Sequence, residues 1–137
     1  MINYGKQSIN QDDIDAVIEV LESDFLTQGP KVEEFENDLR SYCGSKHARV
    51  VTNATSALHL AYVAIGLKKD DIVWTSPNTF VSTANAALYC GAKVEFVDID
   101  PKTYNISIEA LKAKLKIAEA VGPLPKLIVP VHFAGQS

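Results

Sequence analysis

Three stretches of the sequence carry side chains whose types and spacing could do chemistry. In Asn53-Ala-Thr-Ser-Ala-Leu58, small hydroxyl residues stand where a short apolar run gives way to an alanine-rich one. A helix start has unpaired backbone N–H groups and partial positive charge, so Thr55 and Ser56 there would let a phosphate approach closely. Plain capping by Asn53 or Thr55 is the competing reading. Neither GxGxxG nor GxxxxGK occurs, so the common nucleotide fingerprints do not apply. The second stretch, Thr75-Ser-Pro-Asn-Thr-Phe-Val-Ser-Thr83, sets Phe80 among small polar residues. Phe80 could stack on a planar ring at a ligand edge, or fold back over the core. In the third, Asp98-Ile-Asp-Pro101, a D-x-D could hold a divalent metal against a nucleotide-sugar diphosphate, as a glycosyltransferase would. A strand-ending turn shaped by Asp100 is favoured, because no third carboxylate or histidine lies close in sequence. His47, His59 and His132 read as a surface residue, a core residue and a residue at a strand end. No Ser/His/Asp or Cys/His constellation can be built from their spacings.

The elements that must position these stretches alternate along the chain. Ile14, Val17, Ile18 and Leu21 recur at helical spacing, which predicts a helix over 11–22 with Asn10 as its N-cap and Ile9 and Ile14 at the positions of a hydrophobic staple. Pro30 opens a second helix, striped by Val32, Phe35, Leu39 and Tyr42 and closed by Gly44. Strands are expected at Ala48–Thr52, Ile72–Thr75, Lys93–Val97 and Lys126–Val131. Helices are expected at 55–65, at 82–90 and after Ser107, the first two stopped by Gly66 and Gly91. This alternation implies right-handed crossovers and a parallel α/β sheet. Ligands of such sheets bind beyond the carboxyl ends of the strands, where the first two stretches fall, so a ring and its phosphate could be gripped together. The helices over 55–65 and 82–90 are nearly free of charge and are expected to be buried in a larger assembly.

Composition narrows the field. The chain has 137 residues, enough for one domain, and a formal charge of −4, which excludes a binder of nucleic acid through a basic patch. An apolar fraction of 47% is that of a folded chain, and no apolar run nears the roughly 20 residues of a membrane span. The N-terminus lacks the pattern of a secretory leader, and Cys43 and Cys90 have no metal-type spacing, so a reducing cytoplasm is expected. The last predicted strand runs into Val131-His-Phe-Ala-Gly-Gln-Ser137 just where a fourth ligand-edge loop begins, so the chain is expected to be a fragment.

Taken together, Asp24-Phe-Leu-Thr-Gln-Gly-Pro30, Asn53-Ala-Thr-Ser-Ala-Leu-His59, Trp74-Thr-Ser-Pro-Asn-Thr-Phe-Val-Ser-Thr-Ala-Asn85, Phe96-Val-Asp-Ile-Asp-Pro101 and Val131-His-Phe-Ala-Gly135 resemble the DegT/DnrJ/EryC1/StrS family of sugar aminotransferases. The opening Asn3-Tyr-Gly-Lys-Gln-Ser-Ile9 and the Leu-Tyr-Cys-Gly-Ala of 88–92 resemble its pseudaminic acid branch. The resemblance runs the whole length of the chain. It implies the large α/β domain of a type I enzyme dependent on pyridoxal 5'-phosphate, with residues 1–44 a helical segment and 45–137 an incomplete α/β portion. By resemblance, Thr55 and Ser56 bind the cofactor phosphate and Phe80 stacks on its ring, while Tyr4, Asp24, Phe25, Leu26, Thr27 and Ala54 contact a nucleotide-sugar.

The implied reaction transfers an amino group, usually from glutamate, to C4 of a UDP-4-keto-6-deoxy sugar in a homodimer. The family's Schiff-base lysine and the aspartate paired with the pyridine nitrogen come later than residue 137, so no residue of this chain is named as catalytic and the chain alone is expected to be inactive. The segment 48–52 is expected to pair with a strand from much later in the family sequence. Three other readings remain: a non-catalytic module that binds a phosphorylated ligand, a dehydratase with histidine for the lysine, and the D-x-D glycosyltransferase.

Overall fold

A computed structural model describes residues 5–137, and the chain divides into two units, one ending at Val50 and the other running Val51–Ser137. In the first, α1 (Gln11–Glu22) starts at Asn10, whose side chain accepts from the Asp13 N–H at 3.1 Å while the Asp13 carboxylate accepts from the Asn10 N–H at 2.9 Å. That reciprocal box satisfies two donors the helix itself cannot. Helix α2 (Pro30–Cys43) has Pro30 in its first turn and ends at Gly44, whose φ of +62° is the left-handed value expected of a helix-stopping glycine. Between them Gly29 leaves no room for a side chain: a Cβ there would lie 2.8 Å from Phe25 Cβ.

One expected element is missing. Residues 48–52 form no strand. A strand exists through its ladder, and the Val50 N–H is instead taken by the Glu36 carboxylate of α2 at 3.0 Å, with Arg49 paired to the same carboxylate. These bonds, the Val50 N–H foremost and Arg49 after it, hold the Glu36 carboxyl below its ordinary pKa.

The second unit follows the predicted alternation: α3 (Ala54–Ala64), β1 (Ile72–Thr75), α4 (Ser82–Tyr89), β2 (Lys93–Phe96), α5 (Ile108–Val121), β3 (Leu127–Val129) and a short 3-10 turn at Phe133–Gly135. The sheet is parallel with β1 in the middle, order β2-β1-β3. β3 is shorter than the expected 126–131, and Pro130 just after it has no N–H to extend the ladder. Successive β1 side chains go to opposite faces. Val73 joins Tyr62, Leu67, Ala86, Ala87 and Ala92 from the α3–α4 side, and Trp74 joins Val97, Ile106 and Ala118 with Leu111 and Leu115 from α5. The alanines of α4 are small enough for the helix to lie close on the sheet, which is why that stretch of sequence carries so little bulk. Ser107 caps α5 by accepting from the Ala110 N–H at 3.1 Å.

The far end of the sheet is also fixed. Lys126 donates from its backbone to the Ile72 carbonyl at 2.8 Å and from Nζ to the Gly66 carbonyl and the Asp71 carboxylate at 2.6 and 2.7 Å. Pinned at that end, β1 delivers its carboxyl end, Thr75 onward, to a defined place.

Candidate functional site

The carboxyl end of β1 and the start of α3 meet through their hydroxyl groups. Asn53 caps α3, its side chain accepting from the Ser56 N–H at 2.9 Å and its carbonyl from the Ala57 N–H at 3.1 Å. The capping reading of this stretch is thus realised, but it uses only the Ser56 and Ala57 donors. The N–H groups of Ala54 and Thr55 precede the helix ladder, and the Ser56 hydroxyl has no partner among the described residues. Three donors at the positive end of a helix free of charged side chains form an arrangement that suits an anion.

Thr55 is held by a residue the sequence did not single out. Its Oγ1 lies 2.7 Å from Ser82 Oγ, at the start of α4 and 27 positions on. Next to it Thr79 Oγ1 pairs with Thr83 Oγ1 at 2.9 Å, and the Tyr62 hydroxyl of α3 donates to the Thr83 carbonyl at 3.0 Å. Burial pushes the Tyr62 pKa up, so the phenol stays a donor across the ordinary pH range. Thr75 is fully buried and donates to the Val129 carbonyl at 2.9 Å, which ties β1 to β3 just below the loop. No spacing rule links residues 55 and 82; only the hydroxyl-rich composition of both stretches hinted at the pair.

Phe80 stands 68% exposed, so the reading in which it folds over the core does not hold. Its carbonyl is engaged by the Thr83 N–H at 3.0 Å in the turn that opens α4, which holds the backbone while the ring remains accessible. Ala54, Thr55, Ser56 and Phe80 thus all belong to the second unit, the first three opening α3 and Phe80 in the loop after β1. Asp24, Phe25, Leu26 and Thr27 belong to the first, in the α1–α2 loop. There the Ser23 hydroxyl donates to the Val20 carbonyl at 2.8 Å and accepts from the Phe25 N–H at 3.2 Å. The cleft beside Phe25 and Leu26 measures about 140 Å³, well under the ~300 Å³ at which ligand pockets begin. That loop alone is therefore no complete nucleotide-sugar site. Tyr4 lies outside the described residues.

The D-x-D stretch is a turn. Asp100 Oδ1 accepts from the Lys102 and Thr103 N–H groups at 2.7 and 3.1 Å, and Asp98 Oδ1 from the Ile99 N–H at 2.8 Å. The Lys102 N–H foremost, then that of Thr103, holds the Asp100 carboxyl below its usual range. Among the described residues no group of three metal-ligating side chains forms. After the turn, Asn105 fastens the segment following β3, accepting from the Phe133 N–H at 2.8 Å and donating to the Gln136 carbonyl at 3.0 Å. Both fastened stretches include a non-glycine residue in the left-handed region, Tyr104 at φ +62° and Ala134 at φ +53°. Asn105, too, escaped the sequence reading. Of the histidines, His47 and His132 are exposed, and His59 is half-buried with its ring edge-on to Tyr89 at 5.5 Å.

The chain is similar to known proteins along its length. The family profile of the DegT/DnrJ/EryC1/StrS aminotransferases matches residues 7–137. A UDP-4-amino-4,6-dideoxy-N-acetyl-beta-L-altrosamine transaminase of Campylobacter jejuni (strain 81-176) is 55% identical across the whole chain, which covers 35% of that protein. The spore coat polysaccharide biosynthesis protein SpsC of Bacillus subtilis is 45% identical over 98% of the chain and 33% of its own length. Helicobacter pylori PseC, an aminotransferase of pseudaminic acid biosynthesis, superposes with a TM-score of 0.86 at 36% identity over 98% of this chain and 35% of PseC. The chain therefore spans about a third of the length of the relatives it matches. Its parallel sheet with flanking helices is the α/β fold of these pyridoxal-phosphate aminotransferases.

Proposed function

This chain belongs to the DegT/DnrJ/EryC1/StrS aminotransferase family, and from that premise we propose that it supplies the phosphate loop and stacking ring of a sugar aminotransferase. The substrate we assign is a UDP-4-keto-6-deoxy-N-acetylhexosamine, aminated at C4 with glutamate as donor, in a homodimer. The observation that carries this reading is the 55% identity to the Campylobacter altrosamine transaminase across all of the chain, including both loops. Two features of the loops support a pyridoxal phosphate here. The Ala54 and Thr55 N–H groups and the Thr55 and Ser56 hydroxyls are donors for the phosphate, and the exposed Phe80 ring is a face for the pyridine.

When bound, that cofactor supplies the electron sink for moving the amino group. The residues of this chain bind and orient. Donors at the positive end of α3 fix the phosphate, and Phe80 limits how the ring can tilt. Asp24, Phe25, Leu26, Thr27 and Ala54 are assigned to the nucleotide-sugar. The lysine and aspartate that complete the chemistry are assigned to the part of the protein that follows in the longer relatives. The test is to express the full-length protein containing this chain, with pyridoxal phosphate, and supply a UDP-4-keto-6-deoxy-N-acetylhexosamine and glutamate. A UDP-4-amino sugar by mass spectrometry is expected. Release of a dehydrated sugar, or no reaction with any 4-keto nucleotide-sugar, overturns the assignment.

A further inference from the structure

We propose that Ser82 is a positioning residue for the phosphate site, acting through Thr55: its hydroxyl donates to Thr55 Oγ1 and so turns the Thr55 proton toward the anion. The inference rests on the phosphate reading above and deepens it. Ser82 is 5% exposed and opens α4, yet it makes none of the backbone bonds that serines usually form at helix starts. Among the described residues the only partner of its hydroxyl is Thr55, at 2.7 Å, and Ser82 is the only side-chain partner of Thr55.

A hydroxyl has one proton to give and two lone pairs to receive. In this pair either oxygen could donate. If Thr55 donated to Ser82, it would face the ligand with lone pairs alone, which an anion repels. If Ser82 donates, Thr55 keeps its own proton for a phosphate oxygen, and the first bond polarises and strengthens the second. A bound phosphate therefore selects the order Ser82 to Thr55 to phosphate. The turn that carries Ser82 is itself braced. Tyr62 of α3 holds the Thr83 carbonyl, next in sequence to Ser82, and the Thr79–Thr83 hydroxyl pair closes the same turn. These bonds hold the backbone beside Ser82 to α3 and keep its hydroxyl within reach of Thr55.

The test is a binding titration on the full-length protein, comparing pyridoxamine 5'-phosphate with pyridoxamine, which lacks the phosphate. Ser82→Ala is expected to weaken the phosphorylated probe about tenfold and leave the other unchanged. Thr55→Val should do at least as much, and the double variant no more than Thr55→Val, because both act through one hydroxyl. Ser82→Thr, which keeps a hydroxyl, should restore most of the affinity. A loss with Thr55→Val but none with Ser82→Ala, or strictly additive losses, overturns the role of Ser82 and leaves the phosphate reading standing. No loss with either variant overturns both. Should Ser82→Ala fail to fold, Ser82→Cys, similar in size and a poor donor, is read by the same criteria.

Discussion

At Phe80 stability and binding separate. A ring that is 68% exposed contributes little to the fold, so Phe80→Ala should change the unfolding free energy by no more than about 0.5 kcal/mol. If the ring is the stacking face, the same change should lower the affinity of the full-length protein for pyridoxal phosphate severalfold; calorimetry and a cofactor titration on one preparation decide it. Asp100 shows the opposite balance. Its carboxylate accepts two backbone N–H groups, so its pKa in the folded chain lies below that in the unfolded chain. A carboxylate of that kind stabilises fully above its unfolded pKa of about 3.9 and loses that stabilisation as the pH falls through the lower, folded value. Glu36 and Asp71, depressed chiefly by the Val50 N–H and by Lys126, add to the same acid limb. The melting temperature should therefore fall steeply below about pH 4. In Asp100→Asn, which keeps an acceptor and removes the titration, that fall should be shallower; an unchanged limb would show that the turn bonds matter little.

Among the elements, those with local signals formed where the residues said they would. Asn10, Pro30, Gly44 and Ser107 each mark a helix end by a mechanism confined to a few neighbouring residues, and each end is found. Asn10→Ala should accordingly cost ~1 kcal/mol by denaturant unfolding, since it opens the capping box. Gly29→Ala should cost about as much or more for a different reason: the new methyl meets Phe25 at 2.8 Å and the α1–α2 loop must shift. Ile72–Thr75 was legible because a buried central strand is a short, mostly apolar run, here Ile72-Val-Trp before Thr75. Ala48–Thr52 looked equally strand-like, but a strand needs a partner and the sequence of the segment says nothing about where its partner lies. Glu36 taking the Val50 N–H depends on the placement of α2, which no window of sequence contains. The site divides in the same way. Thr55, Ser56 and Phe80 stood out by type and position after strand-like runs, whereas Ser82 and Asn105 act through partners 27 and 28 to 31 positions away and carry no local mark.

For the molecule as a whole, the exposed surface decides the behaviour of the 137-residue chain on its own. Parallel sheets are ordinarily covered on both faces and flanked by further strands. In this sheet β1 is almost wholly buried, but β2 and β3 are edges with partly exposed side chains. Neither α1 nor α2 has a buried residue, and the stripe Ile14, Val17, Ile18 and Leu21 that made α1 predictable is exposed. Helix α3, with no charged side chain, leaves Leu60 and Val63 about half exposed. Monomeric proteins seldom leave so much apolar surface in water, and a net charge of −4 is a weak deterrent to association. The isolated chain should therefore self-associate, with a light-scattering mass above 14.9 kDa that rises with concentration. It should also show no transamination, because the lysine and the aspartate that complete the proposed chemistry are assigned to sequence outside it. The full-length protein, in which the remaining two-thirds or so of a relative's length can lie over these faces, should give one discrete assembly instead. A chain of 137 residues that stays monomeric at high concentration and unfolds in a single cooperative step would mean that its edges are protected from within, and the apolar stripes of α1 and α3 would then need a different explanation.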